Sequence, residues 1–429
     1  MRVLDPSDVD QNVPGAVGEH LGGMLERRLE EAEAADPVFA ADIAGRVARF
    51  ALDGGRRLRS AFLWWAMRGC GGGAREAPRA LGVAAALELI QTCALIHDDV
   101  MDGSAVRRGR PTVHVGIDGQ YGTAGRASPC GTFGGAAAVL AGDLALAWAD
   151  DAFAEAVRGA PAEERAADAW RAMRMQMVAG QYLDLHGQVT RATSADRAMR
   201  TAVLKTALYT VGHPLALGAV LAGAPEHTVG RLRAAGWSAG LAFQLHDDVQ
   251  GAFGDPATTG KPIGEDIREG KATYLLAVAR ELCLRDGDHV GLRLLDEAVG
   301  APAARAGDVD GGAPTARTVD VDRVLELLDT CGARESVSRR VEELCARGIE
   351  AVADAGLSRE AADRLGDLLR DACGRGPASG RPARPGAVRD TATAHATDVL
   401  GPAATAAVVE PATADTADSI DTVLIGEAR

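Results

Sequence analysis

Residues Leu81–Ile96 are almost all apolar or small, and just beyond them stand Asp98, Asp99 and Asp102. That juxtaposition constrains the fold more than any other feature of the chain. A helix apolar on every side belongs inside a bundle, so its acidic end must open into an interior space. At 3.6 residues per turn Asp98 and Asp102 share a face, with Asp99 three before Asp102. Carboxylates crowded in this way repel one another unless cations lie between them. Arg107, Arg108 and Arg110 follow at once and offer the opposite charge to an anion. Hard divalent cations and a polyanion such as a diphosphate would satisfy both halves of the stretch. A solvated acidic patch beside a basic turn is the plainer alternative. The apolar approach to the aspartates argues against it.

A second apolar helix, Leu232–Val249, carries Phe243-Gln244-Leu245-His246-Asp247-Asp248 at its end. Acidic residues at a helix C-terminus oppose the macrodipole, so two such pairs are each unfavourable without a cation. If the two helices face each other across a bundle, the two aspartate sets can hold metal ions that a diphosphate bridges.

The rest of the chain reads as all-α, with roughly a dozen helices and no sustained strand alternation. Residues 1–20 are expected to be an irregular lead-in. Met24–Ala35 is helical, and Pro37 behind Asp36 starts a helix through Phe39, Ile43, Val47 and Phe50. Gly116–Gly131 is expected to be a mobile glycine-rich loop. Ala136–Val157 and Ala162–Gly187 are helices, Ala195–Leu208 is a helix interrupted by Gly212-His213-Pro214, and another helix begins at Lys271. The helical domain spans 21–373. From 374 to 429 the composition turns to Ala, Thr, Asp and Pro, which cannot offset its ordering entropy and is expected to be disordered.

With 429 residues, 47% of them hydrophobic, the chain can bury one large core or two ordinary ones. Its net charge of -14 excludes nucleic acid as the main partner. Its seven cysteines form no CxxC pair, which suits core thiols in a reducing compartment. No signal peptide and no membrane span are evident, and a soluble cytoplasmic protein is expected. Only three of the 46 basic residues are lysines: Lys205, Lys261 and Lys271. In a chain that otherwise uses arginine, a retained lysine suggests a need for a compact, rotating ammonium.

These motifs resemble those of the trans-isoprenyl diphosphate synthases of the polyprenyl synthetase family, over about residues 40–350. The family's GGKRxRP-like stretch appears as Gly54-Gly55-Arg56-Arg57-Leu58-Arg59-Ser60. Its DDxxD motif with RRGxPTxH appears as Asp98 to Asp102 and Arg107 to His114. Ala141-Gly142-Asp143, Gly180-Gln181 with Asp184-Leu185, and Lys205-Thr206 match further elements. The second aspartate motif begins at Asp247-Asp248, and the GK elements are Gly260-Lys261 and Gly270-Lys271.

The resemblance implies an isoprenoid synthase fold and Mg²⁺-dependent prenyl transfer in a homodimer. By it, Asp98, Asp102 and Asp247 ligate three Mg²⁺ ions, with Asp99 and Asp248 in support. Arg107, Lys205 and Lys261 hold an allylic diphosphate, and Lys271 also falls on a diphosphate-facing position. Arg56, Arg59, Gln91 and Arg108 hold isopentenyl diphosphate. Thr206 and Gln244 could steady an allylic cation. Two residues depart from the family pattern. Arg56 replaces the usual lysine, keeping the charge, and Gly251 stands where many members have a third aspartate. Some active members share that DDxxG form.

Product length in this family depends on the residues four and five before the first aspartate, which here are Ala94 and Cys93. Both are small. Ile90 and Leu87, deeper on the same face, are large enough to act as a floor. The expected product is geranylgeranyl diphosphate (C20), with a longer polyprenyl chain as the alternative. A class I terpene cyclase would carry an Asn/Ser/Glu metal motif on the second helix and need no isopentenyl site. A non-catalytic synthase subunit would normally have lost one acidic cluster.

Overall fold

The structure is a computed structural model that describes residues 5–123, 131–191, 193–255, 262–299 and 319–374. The chain divides into Met1–Pro377 and Ala378–Arg429, and every described residue belongs to the first unit. The expected tail from 374 onward lies outside the described residues, apart from Gly374.

The described residues form an all-α bundle. Its first part comprises α1 (Pro6–Gln11), α2 (Val13–Ala35), α3 (Pro37–Phe39), a π-helical turn (Ala40–Ala44), α4 (Gly45–Leu52) and α5 (Leu58–Gly69). Next come α6 (Ala77–Asp102), a two-stranded hairpin of β1 (Val106–Arg107) and β2 (Arg110–Pro111), α7 (Val113–Tyr121), α8 (Phe133–Val157) and α9 (Glu163–Thr190). A single helical stretch follows as α10 (Ala195–Ala202), a π-helix (Val203–Gly212) and α11 (His213–Leu221). The last part is α12 (Glu226–Phe253), α13 (Glu265–Arg268), α14 (Tyr274–Asp286), α15 (His289–Ala298), α16 (Val321–Thr330), α17 (Ala333–Ala353) and α18 (Arg359–Ala372).

Four expectations need correction. The lead-in is helical from Pro6, because Asp5 and Asn12 each cap a helix with the side chain accepting a backbone N–H. The expected loop from Gly116 begins instead as the end of α7, and 124–130 lie outside the described residues. Gly212-His213-Pro214 does not interrupt its helix. Pro214 has no N–H to donate and clashes with the carbonyl four residues back in a regular helix; here the wider π-turn precedes it. The helix expected at Lys271 starts at Tyr274, where Thr273 caps it, so Lys271 stays in the preceding turn. By contrast, Asp36 caps the helix at Pro37 as expected, accepting from Phe39 N–H at 2.8 Å.

Buried apolar side chains form two clusters. One gathers α2, α5, α6, α8, α11 and α18; the other gathers part of the π-helix, the end of α12 and helices α14 to α17. Helix α6 is buried almost all round, from Ala80 through Ile90, as its apolar sequence demands. By length and hydropathy α6 and α8 could each cross a bilayer, but 78% of the apolar window in α6 is buried in the bundle. Its apolarity is therefore that of a core helix. In α8 only 44% of that window is buried.

Small residues allow the site-bearing helices to approach closely. A Cβ on Gly180 of α9 would lie 2.2 Å from Lys205 N, and one on Gly240 of α12 would lie 2.3 Å from Ala207 O. Both contacts are backbone against backbone. They seat the π-helix that carries Lys205 against α9 on one side and α12 on the other.

Candidate active site

Helix α6 ends on Gly103, which takes a left-handed φ of 67° as its C-cap. Asp98, Asp99 and Asp102 therefore occupy its last turn and a half, and they point to different partners. Asp98 accepts from Lys205 Nζ at 3.2 Å and from Gln181 Nε2 at 3.1 Å. Asp102 faces Lys271 Nζ at 2.7 Å. Asp99, whose side chain is 1% exposed, accepts from Arg107 Nε at 2.8 Å and Nη2 at 2.5 Å. Asp98 and Asp102 thus share a cation-lined face, while Asp99 turns aside and anchors an arginine.

The hairpin separates the two arginines that adjoin in sequence. Its two-residue loop, Arg108-Gly109, has positive φ at both positions, 54° and 73°. Arg107 is drawn under α6 to Asp99. Arg108 turns the other way, donates to Asp53 O at 3.0 Å and lies 5.3 Å from the Phe50 ring centroid.

Lys205 is held between two helices, with Asp184 Oδ2 at 2.6 Å on α9 and Asp98 on α6. Thr206 follows it in the π-helix and is half-buried. Lys271 lies among Asp102, Glu269 Oε2 at 2.7 Å and Asp266 Oδ1 at 3.7 Å. Lys261 lies outside the described residues.

On α12, Asp247 is exposed and Asp248 is buried. Gln244 donates to Asp248 Oδ1 at 2.7 Å, so its amide serves that carboxylate directly. Burial, reinforced by the charge of Asp266, pushes the Asp248 carboxyl up to about 8. Asp98 behaves oppositely. Burial opposes its ionisation, but Lys205, Lys271 and Arg107 outweigh that and hold it below the ordinary carboxylate range. In Asp102 burial prevails over Lys271 and, with the charge of Asp98, raises the carboxyl.

The residues expected to bind isopentenyl diphosphate lie around the start of α5 and the middle of α6. Arg59 donates to Thr210 Oγ1 at 3.0 Å and sits 4.4 Å over the Tyr209 ring. Its Nε, the Gln91 Oε1 and the Tyr209 hydroxyl are buried with no hydrogen-bond partner. Polar atoms buried in this state are costly, and an incoming ligand can satisfy them. Arg56 points elsewhere, to Asp371 of α18 at 2.7 Å. One turn before Gln91, Glu88 accepts from Ser60 Oγ at 2.6 Å and ties α6 to α5.

Cys93, Ile90 and Leu87 are buried, and Ala94 is half-buried. Cys93 Sγ is 3.7 Å from His97 Nδ1, and His97 Nε2 is 3.0 Å from the Val139 carbonyl of α8. That ring lies across Gly142, where a Cβ would be 2.1 Å away. Gly142 therefore lets α8 pack beside the first acidic motif.

Three residues outside the expected site belong to it: Asp184, Asp266 and Glu269. The first stands in the Gly180–Leu185 element and the other two lie five and two residues before Lys271, and the fold shows that they contact the lysines. Six acidic side chains (Asp98, Asp99, Asp102, Asp184, Asp266, Glu269) share three cations (Arg107, Lys205, Lys271). Among the described residues no three of the acidic groups converge as a preformed metal site. The excess of hard oxygen donors over cations nevertheless suits magnesium.

The polyprenyl synthetase profile matches residues 42–300. The geranylgeranyl diphosphate synthase of Mycobacterium tuberculosis is 34% identical over 305 residues, 70% of this chain and 75% of the relative. The geranylfarnesyl diphosphate synthase of Aeropyrum pernix is 35% identical over 229 residues, 53% and 66% of the two chains. A crystal structure of geranylgeranyl pyrophosphate synthase from Corynebacterium glutamicum, complexed with isoprenyl diphosphate and magnesium, superposes with a TM-score of 0.73 at 34% identity, covering 84% of this chain and 98% of that one. An acidic helix end whose carboxylates hold Lys205 and Lys271, on a fold and sequence matched over this span, settles the class: the chain belongs to the polyprenyl synthetase family and is a trans-isoprenyl diphosphate synthase, a prenyltransferase.

Proposed function

We propose that this enzyme extends an allylic diphosphate with isopentenyl diphosphate as far as geranylgeranyl diphosphate (C20). The observation that carries the reading is the small pair Cys93 and Ala94 below the first motif, with Ile90 and Leu87 enclosed in the core beneath them. Small side chains leave room for a growing tail, and the packed aliphatics limit its descent.

Asp98, Asp102 and Asp247 would hold Mg²⁺, with Asp99 and Asp248 behind them. When bound, the magnesium neutralises charge on the diphosphate that leaves the allylic substrate. Lys205, with Lys261 and Lys271, supports the same leaving group. The ammoniums of Lys205 and Lys271 stand beside carboxylates that divalent ions would take over, and can then turn to the diphosphate. Arg107, fixed by Asp99, keeps a positive charge next to Asp98. Arg59, Gln91 and Arg108 receive isopentenyl diphosphate and orient its double bond toward the allylic carbon, and Arg56 joins them by exchanging its Asp371 partner for the diphosphate. The double bond forms the new carbon–carbon bond to the allylic cation. Loss of a proton to the released diphosphate then gives a chain five carbons longer. Thr206 lies beside Lys205, where its hydroxyl dipole can steady that cation. Water must be kept out because it would quench the cation.

We further propose a homodimer. Phe133, Val139 and Leu140 of α8 and Met175, Val178 and Tyr182 of α9 are all exposed, Leu140 by 61% and Met175 by 69%. Apolar side chains at this density favour a protein partner, and a second copy is the expected one. Six described cysteines are free, in keeping with a reducing, cytoplasmic setting.

Purified enzyme supplied with farnesyl and isopentenyl diphosphates and Mg²⁺ should accumulate a C20 product. A product that stops at farnesyl, or chains well beyond C20, would overturn the assignment of length.

A further inference from the structure

Arg56 is one of the cations assigned to isopentenyl diphosphate, and its Nη1 lies 2.7 Å from Asp371 Oδ2 in the last turn of α18. The two residues are 315 apart in the chain, so the packing of α18 brings them together. That helix is fixed at both ends. Before it starts, Ser358 N–H donates to the Gly69 carbonyl of α5 at 3.0 Å, and a Cβ on Gly69 would lie 3.0 Å from Ala361 Cβ. At its end Cys373 Sγ is 4.0 Å from the Ala239 carbonyl of α12. Gly374 follows with a left-handed φ of 73°, and a Cβ there would collide with the His246 ring, next to Asp247. A clamped helix thus presents the Asp371 carboxylate to Arg56.

A carboxylate and a diphosphate offer a guanidinium the same kind of anionic oxygen, so Asp371 and the substrate ask for the same donor. The carboxylate also stands where a helix tolerates it poorly, because an acid in the last turn opposes the macrodipole. Its neighbour Arg370 is turned to Asp367 at 2.8 Å, and Arg56 offsets the penalty instead. The Arg56 and Asp371 side chains are 51% and 31% exposed. An ion pair so open to water is weak and readily exchanged. We propose that Asp371 is a built-in competitor for Arg56: it holds the arginine until isopentenyl diphosphate displaces it, and so sets how much of that substrate the enzyme needs. Asp371 touches no reacting atom. It is a positioning residue that acts through Arg56 on one of the two substrates. The proposal rests on the assignment of Arg56 to isopentenyl diphosphate and is independent of the length of the product.

Three variants of the full chain test it: Asp371→Asn, Arg56→Gln and the two combined. Initial rates are measured over a range of isopentenyl diphosphate, with Mg²⁺ and a saturating amount of the allylic diphosphate that the parent extends best. Asp371→Asn, nearly isosteric, should lower the KM for isopentenyl diphosphate by about threefold to tenfold, the scale of an exposed ion pair and a helix-end charge together. Its kcat and its KM for the allylic substrate should stay those of the parent, which a merely structural role for Asp371 would not spare. Arg56→Gln should raise the KM for isopentenyl diphosphate. The combined variant should lie within about twofold of Arg56→Gln, because the effect of Asp371 runs through the arginine. An unchanged or raised KM in Asp371→Asn would overturn the proposal, as would a combined variant that keeps the full gain. Should Arg56→Gln itself leave that KM unchanged, the assignment of Arg56 to isopentenyl diphosphate falls and the competition with it; a raised KM there beside a parent-like Asp371→Asn removes the competition alone. The rates count every product, so a wrong C20 assignment leaves these outcomes unaffected.

Discussion

Lys271 Nζ lies 2.7 Å from Asp102 Oδ2, so the turn after the second acidic helix is fastened to the end of the first. The Asp102 and Lys271 side chains are only 2% and 13% exposed. Breaking a buried pair from one side strands the other charge, at a cost of about 3–5 kcal/mol. Lys271→Gln should therefore lower the metal-free unfolding free energy by several kcal/mol, read from urea denaturation. It should also lower turnover by about a hundredfold, the scale for losing one charge-stabilising donor. An unchanged urea midpoint would mean that the pair contributes nothing to the metal-free fold.

Cys93 is 3% exposed and touches the His97 ring, so a bulkier side chain there must either displace His97 or enter the space left for the tail. Cys93→Phe should shift the main product from C20 to a shorter chain, resolved by chromatography of the dephosphorylated alcohols. Overpacking of this kind costs about 1–3 kcal/mol, so the variant should melt earlier and still fold. An unchanged product would place the floor of the tail pocket away from Cys93.

Much of this arrangement is legible in the chain. Leu81–Ile96 and the run before Asp247 announce two buried helices, because no other element hides so continuous an apolar stretch. Three details are hidden, each for a physical reason. The π-helix at Val203–Gly212 follows from packing: Gly180 and Gly240 let two backbones press on it, and no period in its own residues signals the wider turn. The divergence of Arg107 and Arg108 needs positive φ at a non-glycine residue, which sequence patterns seldom foretell. Asp184 of α9 reaches Lys205 through tertiary contact, so the lysine is visible in the sequence and this counter-charge is not.

Leu140 is 61% exposed in the middle of α8, where an isolated monomer would gain nothing from an apolar side chain. Leu140→Arg should leave the monomer folded, since the site is already in solvent, and weaken self-association. Sedimentation velocity at micromolar concentration should show the parent as a dimer and the variant shifted toward monomer. A parent that sediments as a monomer would refute the homodimer.

His213 is 4% exposed, and its Nε2 is paired with Gln176 Oε1 at 2.7 Å. Burial, with the charge of Arg233 adding to it, depresses its pKa from 6.5 to about 4. Above about pH 6.5 the ring is neutral in both the folded and the unfolded chain, and the site costs nothing. As the pH falls through that value the unfolded chain takes up a proton that the folded chain refuses, so stability is lost until about pH 4, where the folded ring protonates too. The full loss is on the order of 3 kcal/mol. Gln176 accepts from Nε2, so the neutral ring carries its proton on that nitrogen; His213→Gln retains an amide donor but no titrating group. The stability difference between parent and variant, measured by urea denaturation from pH 7.5 to pH 4.5, should therefore move steadily in favour of the variant as acid is added. Parallel pH profiles would show that His213 titrates alike in both states and that its burial does not set its protonation.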